Sequence, residues 1–211
     1  MKKCTFHGHA QLFSSQSLRL MELLRYHDLH TFHHSVQTTS YFIDFCLHHH
    51  FQSLLKPRIL QSVLLHDIGN LLIAKELLSK NGPLTLSEKN ELEQHPELGL
   101  ELLSDYPEIE IEPSLILHHH ENRDGTGYPD RMESDQLPFV VKVLRIIDSY
   151  TAMTMDRPYR PKRSVQSAVD EIVQNHYVDA SCTSLFVTYM EKRLKGKRVL
   201  LHYLDYVPNQ K

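Results

Sequence analysis

The sequence predicts an all-α fold in which the helices pack as one bundle. Apolar residues recur at spacings of three and four along most of the 211 residues, which is the period of an amphipathic helix. No segment of the sequence alternates apolar and polar residues between hairpin turns, and no internal repeat is present. A chain of this length buries roughly 70–75% of its unfolded surface, so its core does not require a metal or a disulfide.

Start and stop signals place the individual elements. Pro57 is typical of the first position of a helix, and Ser87 and Ser164 are typical N-caps. Pro96 predicts a kink or a break just after His95. The segments predicted to be helical, or to form apolar runs between helices, are 17–27, 31–48, 57–65, 71–78, 87–103, 113–121, 138–155, 165–173 and 181–194.

The chain is expected to contain one main domain, with no linker that would divide it. Residues 1–27 are predicted as an N-terminal helical extension, 28–195 as the main domain and 196–211 as a C-terminal tail. The tail sequence is compatible with a strand, a short helix or a docked arm.

The composition excludes several classes of function. The 23 basic and 26 acidic residues give a net charge of −3, which excludes a protein that binds nucleic-acid polymers through bulk positive charge. No apolar run approaches the ~18–20 residues of a membrane span, and the N-terminus lacks the apolar region of a secretory signal. The three cysteines are far apart, which fits a reducing compartment. We therefore expect a cytoplasmic protein.

Histidine is the residue type that is out of proportion, with 16 copies. It is the commonest metal ligand in proteins. Histidines and aspartates recur at intervals of 32, 28, 24 and 28 residues, close to two helices of ~11–12 residues with connections of ~2–8 residues. They can therefore meet at one level of the bundle, where bundles build metal sites. Spacing does not separate His118 from its neighbours, and the collected positions are His34, His66, Asp67, His95, His119, His120 and Asp148.

This set combines imidazoles with carboxylates and contains no thiolate. It favours non-haem iron, manganese or zinc over copper(I) and iron–sulfur clusters. Seven ligands are too many for one ion with an open position. They suit two ions, which clamp the attacking and leaving oxygens of a phosphodiester when they lie ~3.5–4 Å apart. Asp67 can bridge two ions because a carboxylate has two oxygens.

Several motifs resemble one known family. His66-Asp67-Ile68-Gly69 resembles the HD motif of the HD-domain phosphohydrolases. The stretch 119–129, which reads HHE followed by DGTGYP, is similar to the signature of the HD-GYP subfamily. The similarity extends over roughly residues 28–190 and includes the segments 31–35, 145–154 and 157–160.

The resemblance implies an HD-domain-like helical bundle with a metal centre in its core, and it makes 28–195 an HD-GYP catalytic domain. Members bind two or three iron or manganese ions and hydrolyse cyclic di-GMP to pGpG and GMP by attack of a metal-bound hydroxide. Some members act on cyclic GMP-AMP instead. The implied metal ligands, with Asp67 also as catalytic residue, are His34, His66, Asp67, His95, His119, His120 and Asp148.

The resemblance also assigns the substrate contacts. Arg157 and Arg160 match positions that hold substrate phosphate, a task that suits guanidinium groups. Asn70 stands where the family usually has a lysine, and Thr151 stands where it has an aspartate that bears on recognition of the guanine or ribose. His30 replaces the glutamate of trinuclear members, so it either ligates a third ion or leaves the site with two.

The loop at Gly127, Tyr128 and Pro129 flanks the site in the family and is implied as a contact for diguanylate cyclase domains. Gly125 and Gly127 permit a positive φ and a close approach of the backbone.

Three functions compete. The first is a metal-dependent phosphodiesterase for cyclic di-GMP or cyclic GMP-AMP. The second is a catalytically weak HD-GYP module that binds or signals, for which Asn70 and Thr151 would be symptoms. The third is a general HD nucleotidase, against which the GYP and RPYR elements argue.

Overall fold

The computed structural model describes residues 12–156, 162–175 and 177–195. These residues form α-helices joined by turns and loops, of which 118–138 is a long one, and contain no β-strand, so the predicted all-α fold is confirmed. Two 3₁₀ turns cover Gln52–Leu54 and Ile68–Leu72. The helices are α1 (Ser15–His27), α2 (Leu29–His48), α3 (Pro57–Leu64), α4 (Lys75–Leu78), α5 (Leu86–Leu92), α6 (His95–Ser104), α7 (Pro113–Leu117), α8 (Phe139–Thr154), α9 (Val165–Asn175) and α10 (Ala180–Lys195).

The long helices α2 and α8 pack together at the centre of the bundle. Asp28 caps the start of α2 by accepting from the backbone N–H groups of His30 and Thr31. Helix α8 is buried along most of its length. Helix α10 is held against α2 by the Tyr189 hydroxyl, which donates to Asp44 at 2.6 Å.

The apolar core forms two clusters. The larger cluster joins α2, α3, α8, α9 and α10, and its largest buried side chains include Phe42, Phe45 and Tyr150. In the smaller cluster, side chains of α1 pack against side chains of α3, of the second 3₁₀ turn, of α6 and of α7. The predicted extension therefore contributes α1 to a shared core, and Leu24 in it is fully buried.

The short helices differ in detail from the prediction. The segment 87–103 is two helices, because α5 ends at Leu92 and α6 begins at His95. The break precedes His95 instead of following it, and Pro96 falls in the first turn of α6, where its missing N–H would have no partner in any case.

The N-cap of α5 is also corrected. It is Thr85, not Ser87, because the Thr85 hydroxyl accepts from the Glu88 N–H and the Glu88 carboxylate accepts from the Thr85 N–H at 2.8 Å. The helix that Pro113 opens ends at Leu117 and does not reach residue 121. The N-terminal proline of α3 and the capping contact of Ser164 with the Ser167 N–H are confirmed.

Gly69 brings the second 3₁₀ turn against α6. A Cβ at this position would lie 2.0 Å from the carbonyl oxygen of His95 and 2.6 Å from the N of Gly99. Only glycine fits this approach, which brings residues 66–70 next to the start of α6. The predicted tail, 196–211, lies outside the described residues. Among the described helices, none is long and apolar enough to cross a membrane.

Candidate metal centre and cleft

Three histidines of the predicted set share one local arrangement. His66, His95 and His119 each place Nδ1 2.8 Å from the carbonyl oxygen three residues earlier. These carbonyls belong to the last turns of α3, α5 and α7, where the helix leaves its carbonyls without a partner. Each imidazole therefore donates from Nδ1 and turns its Nε2 towards the interior of the site.

Asp67 lies at the centre of these rings and divides its two oxygens between them. Its Oδ1 is 3.2 Å from the Nε2 of His95 and 3.6 Å from that of His119. Its Oδ2 is 3.4 Å from the Nε2 of His66 and 3.7 Å from that of His34. One carboxylate thus faces two groups of imidazoles.

Asp148 makes a second connection across the site. Its Oδ1 accepts a hydrogen bond from the His34 Nε2 at 2.7 Å, and its Oδ2 lies 4.0 Å from the Nδ1 of His120. His34 lies on α2 and Asp148 on α8, so the two central helices bring this pair together.

Among the described residues, two sets of side chains could hold metal ions. In each set the ligand atoms lie within 4.8 Å of one another, and Asp67 belongs to both. The structure therefore brings six of the seven residues that the sequence collected into these sets, and the seventh, Asp148, belongs to neither set but contacts His34 at 2.7 Å. The first set consists of Asp67, His95, His119 and His120, and the second of His34, His66 and Asp67.

The lone pairs of the site fit divalent cations. The Nε2 atoms of His95 and His119 are 3.2 Å apart, and each ring uses its Nδ1 proton on a carbonyl. Two lone pairs that face each other at this distance repel unless a cation or a proton lies between them. The buried Nε2 of His66 has no hydrogen-bond partner among the described residues. Both observations are expected of metal ligands.

The charges of the site depend on one another. Burial lowers the pKa of His66, but Asp67 and Asp148 outweigh it and raise that pKa to about 9. Burial raises the pKa of both carboxyls, but the surrounding histidines hold each pKa well below its usual range. Burial lowers the pKa of His119 to about 4 and that of His120 well below its usual value. At neutral pH these carboxylates are ionised and His119 and His120 are neutral, the states in which they bind metals, whereas His66 with its pKa of about 9 would release a proton when an ion binds.

A cleft of about 260 Å³ opens onto the site. Asp67, His95 and Asp148 form part of its wall, and Asn70 lines it one helical turn beyond Asp67. Leu78 and Leu92 give part of the wall an apolar surface. The cleft thus combines metal-ligating groups, an uncharged amide and apolar side chains.

The remaining predicted residues lie in different places. His30 lines the cleft but belongs to neither set of clustered ligand atoms. Thr151 is fully buried, shares a 2.7 Å hydrogen bond with Thr38 and is not among the residues that line the cleft. Arg157 and Arg160 lie outside the described residues.

The structure distinguishes His118 from its neighbours. Its Nε2 pairs with Asp130 at 2.9 Å, away from the clustered rings. His119 lies two residues after the end of α7, and its Nδ1 is 2.8 Å from the Ile116 carbonyl oxygen. The sequence offered no signal for this distinction, because Leu115, Ile116 and Leu117 are all apolar and each lies three residues before one of the three histidines.

The loop 122–132 covers one side of the site. Gly125 has a φ of +71°, as its predicted role requires, whereas Gly127 serves close approach, because a Cβ there would lie 2.4 Å from the Glu121 Cα. The Tyr128 ring stacks on His120 with 4.8 Å between centroids. Sequence reasoning assigned no role to Glu121, whose buried carboxylate accepts from two backbone N–H groups of this loop.

A helical bundle with a cluster of histidine and aspartate in its core defines the class of protein. The family profile described as HD domain matches residues 19–181 of the chain. The chain therefore belongs to the HD domain family, as His66-Asp67 predicted.

Relatives with curated names agree with this assignment. The chain is 35% identical over 107 residues to the cyclic di-GMP phosphodiesterase response regulator RpfG of Xanthomonas campestris, covering 50% of this chain and 28% of that protein. It is 30% identical over 155 residues to a cyclic di-GMP phosphodiesterase of Vibrio cholerae, covering 67% of this chain and 32% of that protein. It is also 27% identical over 124 residues to 3'3'-cGAMP-specific phosphodiesterase 3 of Vibrio cholerae, covering 58% and 27%.

These matches and the matched domain confirm the predicted membership of the HD-GYP group. The chain spans about a third or less of the length of these relatives.

Proposed function

We propose that the protein is a metal-dependent phosphodiesterase that hydrolyses cyclic di-GMP to pGpG and GMP. The observation that carries the proposal is the position of Asp67, whose two oxygens face two groups of histidines at the end of a cleft. A carboxylate placed in this way suits a pair of ions, and pairs of ions suit phosphodiester hydrolysis. The names of the relatives support the substrate class.

The proposed cofactors are two iron or manganese ions, held by the seven clustered residues. Imidazole and carboxylate ligands without thiolate favour these metals, and zinc is compatible with the same set. When bound, such ions act as Lewis acids on water and on a phosphate oxygen.

The side chains of the cleft have separate tasks in this proposal. Asp67 is the proposed catalytic residue, and its ionised carboxylate accepts a hydrogen bond from the attacking water. Asn70 donates from its amide to a phosphate oxygen. Arg157 and Arg160 are proposed to hold the second phosphate. A volume of about 260 Å³ is just below the range of ligand pockets, which span roughly 300–1,000 Å³, so we expect the cleft to take one phosphodiester and not the whole dinucleotide.

The experiment that tests the proposal combines metal analysis with product analysis. Protein purified without oxygen should contain about two iron or manganese ions per chain and should convert cyclic di-GMP to pGpG and GMP. Mononucleotide substrates serve as the control for a general nucleotidase. Protein that carries metal and cleaves neither cyclic di-GMP nor cyclic GMP-AMP would contradict the proposal and favour a binding or signalling module.

Cyclic GMP-AMP is the second candidate substrate. It is favoured by the relative named for cleavage of 3'3'-cGAMP and by Asn70, where the family pattern has a lysine. The ratio of initial rates on the two cyclic dinucleotides decides between them.

His30 is the residue that decides between two and three ions. It lines the cleft one helical turn before His34 on α2. If His30 binds a third ion, His30→Ala lowers the metal content by about one ion per chain. His33→Ala, on the exposed side of the same helix, is the matched control. An unchanged metal content in His30→Ala would leave a site with two ions.

The contact with diguanylate cyclase domains and the cytoplasmic location stay predictions. Within the loop, Gly127 is buried, whereas Tyr128 and Pro129 are half-buried. A partner that binds this loop would therefore touch Tyr128 and Pro129 but not Gly127. Binding to purified diguanylate cyclase domains, compared between wild type and Pro129→Ala, tests the contact.

A further inference from the structure

Glu121 has no place in the proposed ligand set, although it directly follows His119 and His120 and is fully buried. A buried carboxylate is costly unless hydrogen bonds compensate it. Its Oε1 accepts from the N–H of Asp130 at 2.7 Å and its Oε2 from the N–H of Met132 at 3.1 Å. Both oxygens of Glu121 are thus used on the segment that follows the GYP residues.

The loop between Glu121 and Asp130 lies directly against the backbone of Glu121. A Cβ on Gly127 would lie 2.4 Å from the Glu121 Cα and 2.5 Å from the N of Asn122. Arg145 fixes the other side, because its Nε donates to the Glu121 carbonyl at 3.2 Å and its guanidinium donates to the Asn122 Oδ1 at 2.8 Å. The loop is therefore held at its middle and at its end, on either side of Tyr128.

Tyr128 stacks on His120 with 4.8 Å between ring centroids and 26° between ring planes. His120 differs from His66, His95 and His119, whose rings are each fixed by a backbone carbonyl, since the described contacts include no such bond for His120. Its side chain is 22% exposed, the largest value among the seven proposed ligands. The rings of His119 and His95 also contact this imidazole, with 4.1 Å and 5.0 Å between centroids, and Tyr128 is the stacked ring that limits its rotation from the side of the loop.

We propose that Glu121 is a positioning residue that acts through Tyr128. Its carboxylate holds the segment 127–132 by two backbone N–H groups, and this segment holds the phenol ring of Tyr128 against His120. The carboxylate thereby orients a metal ligand that it does not touch through its own side chain. The inference rests on the proposed function, because His120 is assigned to a metal there.

The first test uses protein without metal and measures the loop directly. Glu121→Gln replaces one acceptor oxygen with an NH₂ group, which faces a backbone N–H. Trypsin can cleave after the exposed Arg123 and Arg131, which lie near the two ends of the loop 122–132. We expect cleavage at these sites to be at least about tenfold faster in Glu121→Gln under native conditions, since local opening controls proteolysis. Glu133→Gln, at an exposed glutamate directly after the loop, is the matched control and should behave as wild type.

The second test measures Mn²⁺ affinity by equilibrium dialysis. Removal of a group that orients a ligand typically costs 10–100-fold in metal affinity, and we expect a loss of about this size for one ion in Glu121→Gln and in Tyr128→Leu. Tyr128→Phe keeps the ring and should keep the affinity. A purely structural role of Glu121 would lower the Tm without this pattern among the Tyr128 variants.

His120→Ala separates failure of the inference from failure of the proposed function. If wild type binds no Mn²⁺, the proposed metal centre fails, while the trypsin result still reports on the Glu121 contact. If His120→Ala loses affinity but Glu121→Gln and Tyr128→Leu do not, the metal centre stands and the positioning role is overturned. Equal losses in Tyr128→Phe and Tyr128→Leu would also overturn it, because the ring would not be the orienting group.

Discussion

The two halves of the site hold their ligands in different ways. His66, His95 and His119 follow short helices, and each takes a carbonyl that the end of its helix leaves free. His34 and Asp148 lie within long helices, where the helix itself uses the carbonyls.

The difference teaches where the orientation of each ligand comes from. The His34 Nδ1 has no hydrogen-bond partner among the described residues, and its ring is oriented by Asp148 at 2.7 Å. The short-helix half of the site, which consists of His66, His95 and His119, is therefore oriented by backbone geometry that exists before any ion binds. The long-helix half, which consists of His34 and Asp148, is instead oriented by the contact between these two side chains, and both are proposed ligands.

Asp67 is the residue whose removal should break both sets of clustered ligands at once, because it belongs to both sets and one of its oxygens faces each of them. In Asp67→Ala we expect loss of both ions and hydrolysis of cyclic di-GMP below detection. His34→Ala should keep about one ion per chain, since the other group lacks His34. Metal content and initial rates measure both effects.

Asp135→Ala removes an exposed carboxylate and is the control for this pair. The fold should survive in all three variants, because the two apolar clusters do not depend on the site. A full metal content in Asp67→Ala would refute the bridging role.

The sequence predicted the long-helix half better than the short-helix half, for a physical reason. Helices α2 and α8 were expected at 31–48 and 138–155 and end within two residues of those bounds. Periodicity needs about 11 residues to be read, and α5 and α7 have 7 and 5. In such short elements the caps and the final turns decide the bounds, which is why the break before His95 was misplaced.

The candidate site was predicted more fully than the helices around it. Residue type and spacing collected the six residues of the two ligand sets and Asp148 beside them, because the chemistry of a metal restricts its ligands more than packing restricts a helix end. The roles of Glu121 and Tyr128 were missed, since both act through contacts that the loop makes only when folded.

Asn70 offers a test of the short-helix half that changes charge and not orientation. It is 7% exposed and lines the cleft beside Asp67. A charge-assisted hydrogen bond is worth roughly 1.5–3 kcal/mol, so Asn70→Lys should raise the rate on cyclic di-GMP by about one to two decades. Initial rates at saturating iron or manganese measure the change.

Asn90→Lys adds the same charge on an exposed position of α5 and serves as its control. A rate in Asn70→Lys that is unchanged or slower would show that Asn70 is adapted to its substrate, and cyclic GMP-AMP would then be the substrate to compare.

Gly69→Ala should disturb the short-helix half through packing. The added Cβ would meet the His95 carbonyl at 2.0 Å, whereas a Cβ at Gly99 meets its nearest neighbours at 3.3 Å. Overpacking costs about 1–3 kcal/mol, and each kcal/mol shifts the Tm by about 2–4 °C in a protein of this size. We expect the Tm to fall by roughly 5 °C in Gly69→Ala and by less in Gly99→Ala. Equal thermal shifts in the two variants would contradict the close approach.

The smallest expected effect concerns the start of α5, the helix whose last turn supplies the Leu92 carbonyl to His95. Hydrogen bonds from Lys80, and then from Thr85, lower the pKa of Glu88 from 4.5 to about 2. A carboxyl with a lowered folded pKa stabilises the protein above its unfolded value, and this stabilisation is lost as the pH falls towards the folded value. Glutamine at this position keeps the capping box but not the charge.

We therefore expect Glu88→Gln to have a slightly lower Tm than wild type at pH 7. The difference should close between about pH 4.5 and about pH 2, and it should shrink at high salt, because the ion pair with Lys80 is exposed to solvent. Glu91→Gln, an exposed position of the same helix, is the matched control. Thermal unfolding across this pH range makes the measurement. A difference that persists at pH 2 would mean that Glu88 stabilises α5 by packing and not by its charge, and the start of this short helix would then not depend on pH.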